Sequence, residues 1–190
     1  MNILWDFDGT LIDTYPVYTE LLYRVLNNQY EREEIYRQLK VSFGHAFHHF
    51  QMTDEQVEEF KRIERGILPD QAKPFDGVEE VLKFASMNVI MTHKDRNSVE
   101  LFLKHHGISH FFTEIVSVED GYPRKPDPAS YRYLHEKYTI DLAIGDRELD
   151  LNPAKKLGIS TCMFQGESVI ADYRLNQYRD FFDVVKIEGI

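Results

Sequence analysis

The chain has 190 residues, with 22 Lys and Arg against 32 Asp and Glu, a net charge of −10. That balance excludes a nucleic-acid binder, which needs clustered cations for the phosphate backbone, and a protein of anionic membrane surfaces. Hydrophobic residues make up 43%, enough for a core, and the single Cys162 excludes both a disulfide framework and a thiolate-rich zinc site. The opening Met-Asn-Ile-Leu-Trp-Asp lacks the basic stretch and apolar run of a signal peptide, and no window of about 18 residues is continuously apolar. The expectation is a soluble cytoplasmic protein.

An apolar run, residues 3–5, opens the chain and is followed at once by Asp6-Phe7-Asp8-Gly9-Thr10-Leu11-Ile12-Asp13. Two carboxylates at i and i+2 past a strand end can share a site if the backbone turns, and Gly9 permits that turn. Carboxylates this close repel and need a cation, and hard oxygen ligands favour Mg²⁺. Taken alone, Asp8-Gly9-Thr10 is also consistent with a simple turn. Asp13 reads as the N-cap of a helix starting near Pro16.

Residues 14–75 contain no convincing strand. Tyr18, Leu21, Leu22, Val25 and Leu26 form one helical stripe, and Thr53 with Gln56 marks a capping box ahead of a helix reaching about Arg65. Lys40 and the run from Val41 to His49 are candidate specificity residues. His45, His48 and His49 fall at i, i+3 and i+4, but beside Phe43, Phe47 and Phe50 they read as a solvated helix face.

From Asp76 onward short apolar runs at 88–92, 115–118, 140–144 and 159–164 alternate with helical stretches. Val78, Val81, Leu82 and Ala85 make one face; Val99, Phe102 and Leu103 begin another, which Gly107 can stop. A helix over 127–137 opens behind two prolines, and Pro153 suits the first turn of a helix ending near Gly158. Alternating strands and helices imply parallel β-α units in a doubly wound sheet. The predicted organisation is an α/β core of residues 1–13 and 76–190 with a helical insert over 14–75.

Three further sites lie at strand ends of that core. Thr92 ends the second core strand. Lys125-Pro126-Asp127-Pro128 follows the third; read alone, Lys125 is a surface lysine. Gly145-Asp146-Arg147-Glu148-Leu149-Asp150 follows the fourth, placing Asp146 where open α/β sheets bind ligands, with Asp150 positioned to cap the next helix. Carboxylates gathered at such a crevice are costly to bury without a metal.

The ordered set Asp6-x-Asp8-Gly9-Thr10-Leu11-x-Asp13, Thr92, Lys125-Pro126 and Gly145-Asp146-x-x-x-Asp150 resembles the haloacid dehalogenase superfamily. It is most similar to the branch of phosphoglycolate phosphatases and β-phosphoglucomutases, whose Rossmann-like core carries a helical cap inserted after the first motif. The resemblance covers essentially the whole chain. It implies Asp6 as nucleophile and Asp8 as general acid and base. Mg²⁺ is implied on the Asp6 carboxylate, the Asp8 main-chain carbonyl and the Asp146 carboxylate. Thr92 and Lys125 are implied as phosphoryl-oxygen ligands, and Asp150 as an acid orienting the metal site or Lys125.

Asp8 separates phosphoryl transfer from dehalogenation, since halide leaves without a proton. His93 departs from the asparagine that many relatives carry there, which affects a neighbouring substrate or cap contact. The implied activity is a Mg²⁺-dependent phosphatase acting on a small phosphorylated metabolite such as 2-phosphoglycolate. The alternatives are a sugar phosphomutase and, more remotely, a phosphoacceptor signalling domain. In the last, the acceptor aspartate follows the third strand, unlike here. A monomer is compatible with the sequence, which does not fix the oligomeric state.

Overall fold

The computed structural model describes residues 1–186. In chain order the elements are β1 (Asn2–Trp5), α1 (Tyr15–Val25), α2 (Arg32–Val41), α3 (Phe43–His49) and α4 (Asp54–Glu64). These are followed by α5 (Val78–Phe84), β2 (Met87–Met91), α6 (Arg96–His105), β3 (Phe112–Val116), α7 (Ala129–Tyr138) and β4 (Leu142–Gly145). Then come α8 (Glu148–Lys155), β5 (Ser160–Phe164), β6 (Tyr173–Leu175) and α9 (Phe181–Val184). The chain divides into two compact units: Met1–Ile12 joined by the chain from Pro74 onward, and Asp13–Lys73.

The first unit is built on a six-stranded sheet of order β3-β2-β1-β4-β5-β6, every pair parallel. Strands buried on both faces need apolar residues at every position, which is why the central runs show no alternation. Leu4 pairs with Val89 on one side and Ala143 on the other, so these residues share a face. That face continues through Met91, Val116, Tyr131, Leu134 and Ala154. On the opposite face the buried Trp5 indole N–H donates to the Asn88 side-chain oxygen at 2.8 Å, satisfying both polar groups.

The second unit is all helical. Phe43 packs edge-on against Tyr18 and Phe60, at ring distances of 5.1 and 5.3 Å, and Phe47 meets Phe60 at 5.5 Å. Both bonds of the Thr53–Gln56 capping box are formed at the start of α4.

Three local expectations are corrected. Thr14, not Asp13, occupies the N-cap of α1 and makes no side-chain cap bond. Pro16 in the first turn has no N–H to satisfy, which reduces the need for a cap. Pro153 lies inside α8 rather than in its first turn. Asp150 does cap the start of α8, but from the third position rather than as the N-cap residue: its Oδ2 accepts the Arg147 N–H at 3.2 Å. β6 and α9, neither of which the apolar pattern signals, complete the described chain. Among the described residues no helix is long and apolar enough to cross a membrane.

Leu4 sits at the centre of the sheet and is fully buried. Leu4→Ala is expected to cost about 2–5 kcal/mol in urea denaturation, against about 1 kcal/mol for Thr53→Ala, which removes only a cap. Equal costs would contradict this placement of the core.

Candidate active site

The chain order reverses between β1 and β4, so a crevice opens beyond their carboxyl ends. Asp6 is the first residue after β1, and its N–H donates to the Ile144 carbonyl at 2.9 Å. Asp146 is the first after β4. Both carboxylates are buried. Beyond Asp6 the chain doubles back: the Phe7 carbonyl accepts the Leu11 and Ile12 amides, and Gly9 donates to the Ile12 carbonyl at 2.8 Å. Gly9 adopts φ +76°, a conformation that a side chain would strain. Asp8 lies half-buried on this loop.

Lys125 enters from the segment between β3 and α7. Its side chain is only 2% exposed, so the surface reading fails. The ammonium lies 2.6 Å from Asp6 Oδ1 and 2.8 Å from Asp150 Oδ1. Arg147 adds a second cation, 3.3 Å from Asp150 Oδ2 and 3.9 Å from Asp146 Oδ1. Asp150 reaches this cluster because Gly145 lacks a side chain; a Cβ there would overlap the Cβ of Asp150.

Two supports escaped sequence reasoning. The Thr10 hydroxyl donates to Asp146 Oδ1 at 3.3 Å, while the Thr10 carbonyl accepts the buried Tyr178 hydroxyl at 2.9 Å. The Tyr178 ring stacks on Phe164 at 4.2 Å, so the C-terminal segment braces the loop after β1. Nothing in the local pattern around Tyr178 signals this. Thr92 follows β2; its N–H donates to the Val116 carbonyl at 2.9 Å and its hydroxyl accepts the Lys94 N–H at 3.1 Å. His93 Nε2 accepts the main-chain N–H of Lys125 at 3.1 Å.

The electrostatics separate the carboxyls. Burial, then the Asp150 charge, pushes the Asp6 carboxyl up to about 7 despite Lys125 and Arg147. Burial acts on Asp150 too, but Arg147 and Lys125 outweigh it and hold that carboxyl down at about 2. Lys125 is raised because Asp150 and Asp6 more than offset its desolvation.

The donor set fits a hard divalent cation. Asp6, Asp146 and Asp150 can each offer an oxygen within 4.8 Å of the others. Asp6 Oδ2 is buried and meets no hydrogen-bond donor among the described residues. An ionised oxygen left so is costly unless a cation reaches it. The Asp8 side chain is not part of that cluster; its implied share in a metal site is the main-chain carbonyl.

Lys40 and His45 belong to the helical unit. The Lys40 ammonium lies 4.6 Å from the centre of the Tyr15 ring. His45 Nε2 meets Gln38 Oε1 at 2.9 Å, and His49 Nε2 meets Glu34 Oε1 at 3.0 Å, so α3 presents these two histidines to α2.

Residues 3–164 match the family described as haloacid dehalogenase-like hydrolase. The chain is 26% identical to pyrophosphatase PpaX of Bacillus velezensis, over 98% of this chain and 96% of that protein. Among solved structures, a hydrolase from Streptococcus pneumoniae TIGR4 is 30% identical with a TM-score of 0.66, covering 87% of this chain and 92% of the other. A candidate phosphoglycolate phosphatase from Lactobacillus plantarum shares the fold at 18% identity, with a TM-score of 0.78 over 96% and 97% of the two chains. The parallel sheet and the acidic crevice therefore belong to a hydrolase. The chain is a member of the haloacid dehalogenase-like hydrolase family.

Tyr178→Phe removes the hydroxyl that the buried Thr10 carbonyl accepts, with an expected cost of about 1–3 kcal/mol. An unchanged urea midpoint would show that the brace contributes nothing.

Proposed function

We propose that this hydrolase is a Mg²⁺-dependent phosphatase that cleaves a small phosphomonoester through an aspartyl-phosphate on Asp6. The observation that carries the reading is the convergence of Asp6, Asp146 and Lys125 at the reversal point of the sheet, with Asp6 Oδ2 meeting no hydrogen-bond donor among the described residues. Asp6 attacks phosphorus, the bond to the leaving oxygen breaks, and Asp8 gives that oxygen its proton. Asp8, now a carboxylate, takes a proton from the water that attacks the phosphoryl group. Free phosphate leaves and Asp6 is restored.

Lys125 and Thr92 hold phosphoryl oxygens as charge shifts onto them. Lys125 and Arg147 also favour ionised Asp6, but burial and Asp150 still push it up to about 7. The Asp6 and Asp146 carboxylates and the Asp8 main-chain carbonyl would hold a Mg²⁺, which would supply the remaining positive charge beside the substrate's oxygens. Asp150, already engaged by Lys125 and Arg147, orients rather than ligates.

The substrate class is a small metabolite of the 2-phosphoglycolate kind. The naming of PpaX as a pyrophosphatase makes inorganic pyrophosphate a second compound to assay. The helical unit is the proposed seat of specificity, with Lys40 and His45 as candidate contacts.

Purified protein is expected to release phosphate from a phosphomonoester only with Mg²⁺ added, and Asp6→Asn to abolish turnover with the fold intact. Activity retained in Asp6→Asn would refute the covalent route, and an isomerised sugar phosphate without free phosphate would indicate a mutase. In single-turnover experiments Asp8→Asn is expected to slow formation of the aspartyl-phosphate about 10²- to 10⁴-fold with an alkyl phosphate and much less with p-nitrophenyl phosphate, because p-nitrophenolate leaves without a proton. Hydrolysis of the intermediate is expected to slow equally for both. Equal losses in that first step would remove Asp8 from the acid role.

A further inference from the structure

His93 has no part in the reaction outlined above, yet its side chain spans two loops of the crevice. It directly follows Thr92, whose amide is fixed to Val116 and whose hydroxyl is fixed to the Lys94 amide, so its own backbone is held on both sides. From there Nε2 accepts the main-chain N–H of Lys125, 32 positions along the chain, at 3.1 Å. Lys125 arrives by a different route. Residues 121–124 before it have no regular secondary structure and are mostly exposed, while Lys125 itself is buried. A long side chain delivered from such a segment needs its main chain fixed if its ammonium is to stay between two carboxylates.

We infer that His93 is a positioning residue: its imidazole ties the segment carrying Lys125 to the end of β2 and so fixes the ammonium between Asp6 and Asp150. The bond also sets the spacing between Thr92 and Lys125, the two residues proposed to hold phosphoryl oxygens. Only an unprotonated Nε2 can accept, so the ring proton sits on Nδ1. Burial, then the charges of Lys125 and Arg124, pushes the imidazole down to about 3, which keeps it in the accepting form. The role assigned to Lys125 rests on the phosphatase reading; the tie between the loops does not.

Two variants and two readouts test this. Glutamine carries an amide oxygen to about the reach of Nε2, whereas alanine removes the acceptor. A catalytic group displaced by about 1 Å can lose roughly a hundredfold in rate. His93→Ala is therefore expected to lower kcat about ten- to a hundredfold, by the same factor for p-nitrophenyl phosphate and 2-phosphoglycolate, and His93→Gln to restore most of it. Circular dichroism and the urea midpoint check that both variants fold.

In Mg²⁺-free protein the Lys125 amide is expected to be protected from hydrogen exchange in the native chain and in His93→Gln, and exposed in His93→Ala. A loss confined to one substrate would mean that the ring touches the leaving group, overturning the positioning role. Glutamine no better than alanine, or full activity in His93→Ala, would overturn it as well. If native protein hydrolyses no phosphomonoester, the phosphatase reading fails and the exchange measurement alone decides whether the tie exists: an unprotected native amide overturns it.

Discussion

The Lys125 ammonium, buried between Asp6 and Asp150, is the constraint around which the unit built on the parallel sheet is arranged. A buried charge is stable only with partners of good geometry, and removing one partner from such a group typically costs about 3–5 kcal/mol. The three charges come from three places: the end of β1, the segment before α7 and the first turn of α8. Their meeting therefore requires the strand order as well as the local turns. It also requires the bare backbone of Gly145, because any side chain there would hold α8 away from the lysine.

Much of the fold could be read in the sequence because central parallel strands are buried on both faces. Leu4, Val89, Ile90, Ile144 and Cys162 lie in nearly unbroken apolar runs that a half-exposed strand would not tolerate. The same logic fails at the periphery. β6 is three residues long with an exposed Arg174 at its middle, and α9 has only four residues, so neither carries a period to detect. Pro153 misled because a proline usually reports the start of a helix, whereas here the Asp150 carboxylate on the Arg147 amide had already begun α8.

In the site, legibility followed distance along the chain. The two aspartate motifs announce themselves because each abuts the strand that positions it. Lys125 by itself looks like any surface lysine, since its burial depends on partners 119 and 25 positions away. Tyr178 on the Thr10 carbonyl and His93 on the Lys125 amide are bonds between a side chain and a distant main chain. Any residue type presents the same backbone groups, so such bonds leave no mark in the partner's sequence. The Glu34–His49 contact shows the same limit in the helical unit: the acid facing the histidine stands fifteen positions away on α2.

The cluster also shows how one lysine can serve two identical side chains unequally. Asp6 and Asp150 are both buried and both touch Lys125, so burial alone cannot distinguish them. Arg147 does: it lies within hydrogen-bonding reach of Asp150, which also accepts the Arg147 amide, and the combined donors hold Asp150 ionised at about 2. Asp6 has Lys125 on one oxygen, no hydrogen-bond partner among the described residues on the other, and is pushed up to about 7. One carboxylate thus becomes a fixed counter-ion, while the other stays close to the balance between its charged and neutral forms. A net charge of −10 is then no obstacle to an anionic substrate, because the few charges that matter are balanced within the crevice. What the acidity rules out is the extended cationic surface that a polymer of phosphates requires.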